Sequence, residues 1–138
     1  MPTQKFATHF LWADTQENFT YMDLDFSKQK DKKLSVIEKT KTSFINYETI
    51  TYLECDGNLV FVFHTHDKSP YSYTNSLIKL ESELTECGFL RISHNKLVNM
   101  YHVMNLNSKK HEIQLSDGNI LTVSRRKWQK IRNIFSSK

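Results

Sequence analysis

The chain carries at residues 89–99 the stretch FLRISHNKLVN, in which a polar cluster separates two apolar runs. The apolar runs are short and rich in branched and aromatic residues, which is typical of β-strands. The cluster between them is therefore predicted to be an exposed turn, formed by Ser93, His94, Asn95 and Lys96. Such a turn offers groove-readable donors and acceptors and a lysine for phosphate, although taken alone it is better explained as an ordinary polar turn.

The strand pattern continues on both sides of this stretch, from about residue 34 onward. Further runs of branched and aromatic residues lie at 34–38, 50–54, 59–64, 111–115 and 120–123. Two of the gaps between runs, 56–58 and 116–119, contain an Asp-Gly pair, which tolerates the positive φ of a tight turn. Each gap is predicted to close a β-hairpin, so strands dominate the predicted fold.

Two segments have helical spacing instead. The first has four apolar residues at this spacing between a predicted cap at Asn75 and a stop at Gly88, namely Leu77, Leu80, Leu84 and Cys87. It predicts a helix over 76–87. The second stripe, formed by Trp128, Ile131 and Phe135, predicts a C-terminal helix over 125–135. The sequence thus predicts a mainly β fold with one short internal helix and a C-terminal helix.

The 138 residues, 38% of them hydrophobic, are enough for one domain with a packed core. Residues 29–33 are polar and read as a linker, so we divide the chain into an N-terminal extension or docking segment at 1–31 and a domain at 32–138. Residues 19–26 alternate as a strand would. The aromatic residues of the extension suggest docking on the domain or on a second copy.

Membrane and secreted classes are not indicated. No apolar run approaches the ~20 residues needed to cross a bilayer, and no charged-then-apolar leader opens the chain. The two cysteines, Cys55 and Cys87, stand well apart, so a disulfide framework is not expected. We expect a soluble protein of the cytoplasm with no membrane partner.

The net charge of +4 conceals an uneven distribution of charge along the chain. Residues 1–88 hold 9 Lys and Arg against 13 Asp and Glu, whereas residues 89–138 hold 10 against 2. A basic half of this kind is typical of a protein that meets a polyanion, and nucleic acid is the commonest such partner. A merely solvated basic surface explains the charge equally well.

Three cations crowd the first turn of the predicted C-terminal helix: Arg125, Arg126 and Lys127. The helix macrodipole makes a cation there unfavourable by roughly 0.3–1 kcal/mol. A phosphate held between the free amides of that turn and the guanidinium groups would explain their presence. The alternative is that their long stems cover apolar surface while their charged ends stay in water.

Enzyme classes have little support in the sequence. His64 and His66 would share one face of a strand, but no third and fourth metal ligand stands at a recognisable spacing. Neither cysteine lies in a nucleophile motif, and three isolated glycines form no phosphate-binding loop. We expect no catalytic activity, no metal, no cofactor and no small-molecule substrate.

Together the motifs resemble the LytTR DNA-binding domain family. The resemblance rests on FLRISHNKLVN at 89–99, Val103, HEIQLSDG at 111–118 and ILTVSRR at 120–126, with ITYLECDGN at 50–58 and the helix at 77–84 upstream. It covers about residues 32–135. The resemblance implies an elongated, multi-stranded β fold that binds double-stranded DNA through loops in the major groove and regulates transcription.

The resemblance also implies which residues bind DNA and how many copies act together. The residues at the family's contact positions, with their immediate neighbours, are Asn58, Ser93, His94, Asn95, Lys96, Arg125, Arg126 and Lys127. The sequence departs from the family at Ser93, where a histidine is usual, and at Asn95-Lys96, which replace a Ser-Tyr or Ser-Phe pair. Paired direct repeats are common operators in the family, so two copies per operator are expected.

A function of another class stays open from the residues alone. A β module could bind single-stranded nucleic acid or a protein through exposed aromatic side chains on its strands. The candidates for such stacking platforms are Phe61, Phe63, Tyr71 and Tyr73, half of which strand alternation places in the core.

Overall fold

A computed structural model describes residues 26–136. Its strands are β1 Lys33–Glu38, β2 Lys41–Asn46, β3 Ile50–Asp56, β4 Leu59–His64, β5 Tyr71–Thr74, β6 Phe89–Ser93, β7 Lys96–Asn99, β8 Val103–Asn107, β9 Glu112–Leu115 and β10 Ile120–Thr122. Its helices are α1 Leu77–Leu84 and α2 Arg125–Ser136. The predicted extension up to residue 25, with most of its predicted strand and its early aromatic residues, lies outside the described part.

The strands form three antiparallel sheets. The largest has the order β5-β4-β3-β7-β6, β1 and β2 form a separate hairpin, and the third sheet has the order β10-β9-β8. Within residues 26–136, no helix has the length and apolar character needed to span a membrane. The mainly β prediction with one internal and one C-terminal helix is confirmed.

The five-stranded sheet lies between two apolar layers, because neighbouring residues on a strand point to opposite faces. On β3, Tyr52 belongs to one core cluster and Leu53 to the other. On β7, Val98 and Leu97 divide in the same way. The first cluster includes residues of α2 and of β8, β9 and β10, and the second includes residues of α1 and of the β1–β2 hairpin. Both faces of the sheet are therefore covered.

The sequence pattern located most of these strands but not all. The two Asp-Gly hairpins are confirmed, with Gly57 at φ 67° and Gly118 at φ 92°. Strands β2, β5 and β8 were not predicted from the pattern, and each of them has only one buried residue. The predicted strand start at His111 is wrong: His111 adopts φ 54° before β9, and its ring stacks on Trp128 at 4.8 Å.

Helix α1 is shorter than predicted and has a different cap. The Ser76 Oγ accepts a hydrogen bond from the Lys79 amide at 3.4 Å, so Ser76 is the cap. The prediction of Asn75 as the cap is wrong, since its Oδ1 instead accepts from the Ser76 amide at 2.7 Å. After Leu84 the chain continues as a 3-10 helix to Cys87, and Gly88 ends it at φ 93°, as predicted.

A buried polar pair ties the start of the described chain to the core. Gln29 ends a 3-10 helix that begins at Phe26, and its side-chain amide donates to the Cys87 carbonyl at 2.7 Å and to Asn99 Oδ1 at 2.9 Å. Asn99 in turn donates to the Ile50 carbonyl at 2.9 Å. The linker interpretation is therefore wrong for Gln29, which is buried. The division at residue 31 stays a prediction.

Candidate nucleic-acid interface

Strand register brings two of the predicted contact turns together. Strands β3 and β7 pair so that Glu54 lies opposite Lys96, and the Cys55 amide donates to the Asn95 carbonyl at 2.9 Å. The turn after β3 and the turn before β7 therefore lie side by side at one end of the large sheet. The first turn carries Asn58, and the second, which we name the recognition turn, consists of residues 93–96.

The start of α2 is attached beside the recognition turn. The Ser124 amide donates to the Ile92 carbonyl at 2.8 Å, so the first residues of α2 lie next to the end of β6. An open groove of about 390 Å³ runs between them. Its walls include four of the predicted contact residues, namely Ser93, His94, Arg126 and Lys127.

The side chains of the recognition turn differ in solvent exposure and in their internal contacts. His94 is exposed, whereas Ser93, Asn95 and Lys96 are half-buried. The Ser93 hydroxyl donates to Asn95 Oδ1 at 3.0 Å. The Lys96 ammonium lies 3.9 Å from a Glu54 carboxylate oxygen, and both side chains are partly exposed, so this ion pair is weak.

The cations of the α2 start face solvent. Arg125 and Arg126 are exposed and Lys127 is half-buried, while the next residue, Trp128, is buried and anchors the helix. Within residues 26–136, neither of the two ion pairs involves these three cations. Helix α2 carries five Arg and Lys and no Asp or Glu. An anion such as a phosphate can therefore approach this helix end without displacing a carboxylate from these cations.

Asn58 and Arg125 occupy separate places near the groove. Asn58 is exposed in the turn after β3, and its carbonyl accepts from the Asn75 amide at 3.1 Å, which ties that turn to the start of α1. Arg125 is the first residue of α2 and does not line the groove. The structure thus places all eight predicted residues on two adjacent turns and one helix start, and four of them share one groove.

Sequence reasoning missed two groups in the same groove, Arg91 and Glu81. The Arg91 guanidinium donates to the Ser93 carbonyl at 3.0 Å, to the His94 carbonyl at 2.9 Å and to Glu81 Oε1 at 2.6 Å. Only 17% of the Arg91 side chain is exposed. The one sequence signal was an arginine within the otherwise apolar run of β6.

Comparison with known families supports this architecture. The model of the LytTr DNA-binding domain family matches residues 40–136, which is most of the chain. The chain belongs to the LytTR family. LytTR domains are DNA-binding domains and not an enzyme family, so the coarse assignment to DNA binding and transcription regulation follows.

A solved LytTR structure shows the same fold. The chain is similar to the LytTr DNA-binding domain of a Bacillus cereus protein described as a methyl-accepting/DNA response regulator, with a TM-score of 0.66 and 16% identity. The match covers 77% of this chain and 98% of the other. No curated protein sequence matches the chain.

Other sites considered from the sequence are occupied by internal contacts in this LytTR domain. His64 Nε2 hydrogen-bonds to the Ser69 carbonyl at 3.1 Å, and His64 Nδ1 accepts from the His66 amide at 3.3 Å. Residues 26–136 contain no group of three or more His, Cys, Asp or Glu that could hold a metal ion. Cys87 is buried, which raises the pKa of its thiol.

Proposed function

We propose that this LytTR domain binds double-stranded DNA sequence-specifically and regulates transcription by reading the major groove through its turns. The observation that carries the proposal is the meeting of the recognition turn and the cationic start of α2 at one groove. Turns at the end of a rigid sheet can present side chains to the major groove of DNA without a recognition helix. The cations beside them supply the electrostatic attraction to phosphates that DNA binding needs.

The proposed roles follow from exposure and chemistry. Five side chains reach base edges, because the two turns and the start of α2 carry their hydrogen-bond donors and acceptors. They are His94, Asn95, Lys96, Asn58 and Arg126. Arg125 and Lys127 contact phosphates, which set the register without carrying sequence information. Ser93 acts on Asn95: its hydroxyl occupies one lone pair of the amide oxygen and fixes which end of the amide is the donor.

Two copies on paired direct repeats complete the proposal. One domain presents one such face, and a single small module buries only about 600–1,000 Å² on DNA. A second copy on a neighbouring repeat multiplies affinity and specificity, since both faces must then find their bases. Repeated half-sites in the DNA preferred by the protein would support this arrangement.

Substitution of Arg126 tests the role of the helix start. On a duplex enriched from a random pool, we expect Arg126→Ala to lose about 1–3 kcal/mol of binding free energy and to relax the preference at one base pair. On scrambled duplex the loss should be much smaller. Fluorescence titration of both duplexes measures the difference.

A matched control is Lys109→Ala, which removes the same charge from an exposed turn between β8 and β9. This variant should leave the preference between duplexes unchanged. Equal losses of Arg126→Ala on both duplexes would move Arg126 to the phosphate contacts and contradict its base-reading role.

No observation in the structure favours the single-strand alternative. Phe63 stacks on Tyr52 with ring centroids 4.3 Å apart, Tyr73 is buried, and Tyr71 packs on His64 at 4.9 Å. Three of the four aromatic candidates thus already have internal partners. Tighter binding of single strands than of duplex would nevertheless overturn the proposed function.

A further inference from the structure

The backbone of the recognition turn is held by an unusual set of partners. The β6–β7 register shifts between Arg91 and Ser93, so the regular ladder does not supply every hydrogen bond there. Four consecutive carbonyls, 92–95, each find a partner on another group. The Ile92 carbonyl accepts from the Ser124 amide and the Asn95 carbonyl from the Cys55 amide. The two between them accept from the side chain of Arg91.

Only the two middle contacts depend on a side chain. The Arg91 guanidinium donates from its Nε to the Ser93 carbonyl and from one terminal nitrogen to the His94 carbonyl. Its other terminal nitrogen donates to Glu81 Oε1 on α1 at 2.6 Å. Because guanidinium is planar and rigid, the carboxylate that fixes one edge also fixes the direction of the other two donors.

The carboxylate of Glu81 stands out electrostatically in this place. It lines the same groove as Arg91, Arg126 and Lys127, where a phosphate would approach. A negative charge there opposes DNA binding through simple charge repulsion. The hydrogen bond between Glu81 and Arg91 is the structural feature that accounts for a carboxylate in this groove.

We propose that Arg91 and Glu81 form a clamp that positions the recognition turn for base reading, with Glu81 acting through Arg91. The inference rests on the proposed function. The clamp holds the carbonyls of the two peptide groups that flank the His94 Cα and so fixes the direction in which the His94 side chain leaves the backbone. Without Glu81, Arg91 can leave the carbonyls, and the turn samples several conformations that match the bases less well.

The clamp and simple electrostatics predict opposite results for Glu81→Gln. Removing a negative charge beside the DNA should tighten binding to every duplex. Loss of the clamp should instead weaken binding to the enriched duplex by about tenfold, the size expected for one charge-assisted hydrogen bond. Binding to scrambled duplex should stay unchanged or become tighter, so the ratio of the two affinities falls.

The matched control is Glu86→Gln, which makes the same charge change in the 3-10 helix that follows α1. Glu86 is exposed, and within residues 26–136 it is in neither ion pair. Titration of wild type and both variants on both duplexes measures the ratio. A fall in the ratio for Glu81→Gln alone supports the clamp. Tighter binding of Glu81→Gln to both duplexes, or an unchanged ratio, overturns it.

Amide hydrogen exchange gives a second readout without DNA. The Cys55 amide donates to the Asn95 carbonyl, so its exchange should be several times faster in Glu81→Gln and in Arg91→Lys. Arg91→Lys keeps the positive charge, but a lysine cannot reproduce the planar set of donors of the guanidinium. Unchanged exchange in both variants overturns the clamp. Faster exchange in both, with a wild-type protein that does not prefer any duplex, overturns the proposed function and leaves the clamp as the support of the turn.

Discussion

At the scale of single residues, Asn95, which we propose reads bases, shows how a side chain can be positioned by internal hydrogen bonds. The amide oxygen already accepts from the Ser93 hydroxyl at 3.0 Å, while its backbone carbonyl accepts from Cys55. The side chain therefore loses little conformational freedom on binding, and preorganisation of this kind improves affinity by lowering the entropic cost. The family resemblance identified Asn95, but its hydrogen bond to Ser93 required the structure.

His102 is a residue whose chemistry sets a pH dependence of folding. It is buried, its Nε2 hydrogen-bonds to the Glu48 carbonyl at 2.7 Å, and its Nδ1 lies 2.6 Å from the Ser116 hydroxyl. In the neutral ring Nε2–H donates and Nδ1 accepts. Burial lowers the pKa of His102 below its ordinary value of 6.5.

We therefore expect the free energy of unfolding to fall as the pH drops through 6.5 towards the lowered native pKa of His102. Over that range the unfolded state binds a proton that the folded state excludes. Urea unfolding from about pH 8 to about pH 5 measures the slope. His102→Gln should flatten it. An equal slope in wild type and variant would show that other groups cause the pH dependence.

At the scale of elements, the junction after α1 depends on a glycine. Gly88 adopts φ 93°, and a Cβ there would lie 2.6 Å from two ring carbons of Phe26. Gly88→Ala should therefore cost about 1–2 kcal/mol for the backbone conformation and a further amount for the displaced ring, in total at least about 2 kcal/mol. Chemical denaturation measures this loss.

Gly57→Ala serves as its matched control. Gly57 also has a positive φ, of 67°, but nothing lies within 4 Å of a Cβ at that position. Only the backbone term should then appear, so the Gly57 variant should be the more stable of the two. Equal destabilisation of the two variants would mean that the Phe26 contact contributes nothing.

Arg125, at the start of α2, should lower the stability of the fold and strengthen DNA binding. Removing the charge in Arg125→Gln relieves an unfavourable contact with the helix dipole and should stabilise the fold by about 0.3–1 kcal/mol. The same change should weaken binding to all duplexes and lower the salt slope by roughly 0.9, the value for one phosphate contact. Thermal unfolding and salt titration measure the two effects.

Lys130→Gln provides the comparison, because it removes an exposed cation beyond the first turn of the same helix. It should change stability less, since the dipole effect fades within one turn. A gain in stability from Lys130→Gln that equals the gain from Arg125→Gln would contradict the helix-dipole argument.

Elements were predictable from the sequence where local pattern and tertiary burial agree. Strand β4 and the two Asp-Gly turns have clear local signals and appear where expected. Strand β2 has no clear local signal, because Phe44 is 65% exposed and Ile45 is the only apolar residue of the strand that is buried. Gln29 was misread for the opposite reason: its polar side chain is buried only because Cys87 and Asn99, far along the chain, accept its hydrogen bonds.

At the scale of the whole molecule, the site arises from contacts between distant segments. Register between β3 and β7 joins the two turns, and one backbone hydrogen bond from Ser124 adds α2. The motifs that resemble the LytTR family identified the eight candidate residues. The partnership of Arg91 with Glu81 could not be read from spacing, since it links a strand to a helix on the other side of the intervening 3-10 turn.

The charge distribution also has meaning only for the folded whole. The basic residues of the C-terminal half include the five cations of α2, two of which, Arg126 and Lys127, line the groove beside the recognition turn. A surface that is only solvated and basic would bind all duplexes alike, with an affinity that follows salt concentration. A surface that reads bases would add a preference that salt does not remove. This difference separates the two explanations of the basic half.

The most direct test is selection of duplexes from a random pool at moderate salt, followed by titration of the enriched duplex against a scrambled one. We expect enrichment of a paired direct repeat and a preference of at least ~10³ over scrambled DNA. A pool that yields no motif, with affinities for both duplexes that are equal and fall alike with salt, would contradict sequence-specific reading by the turns.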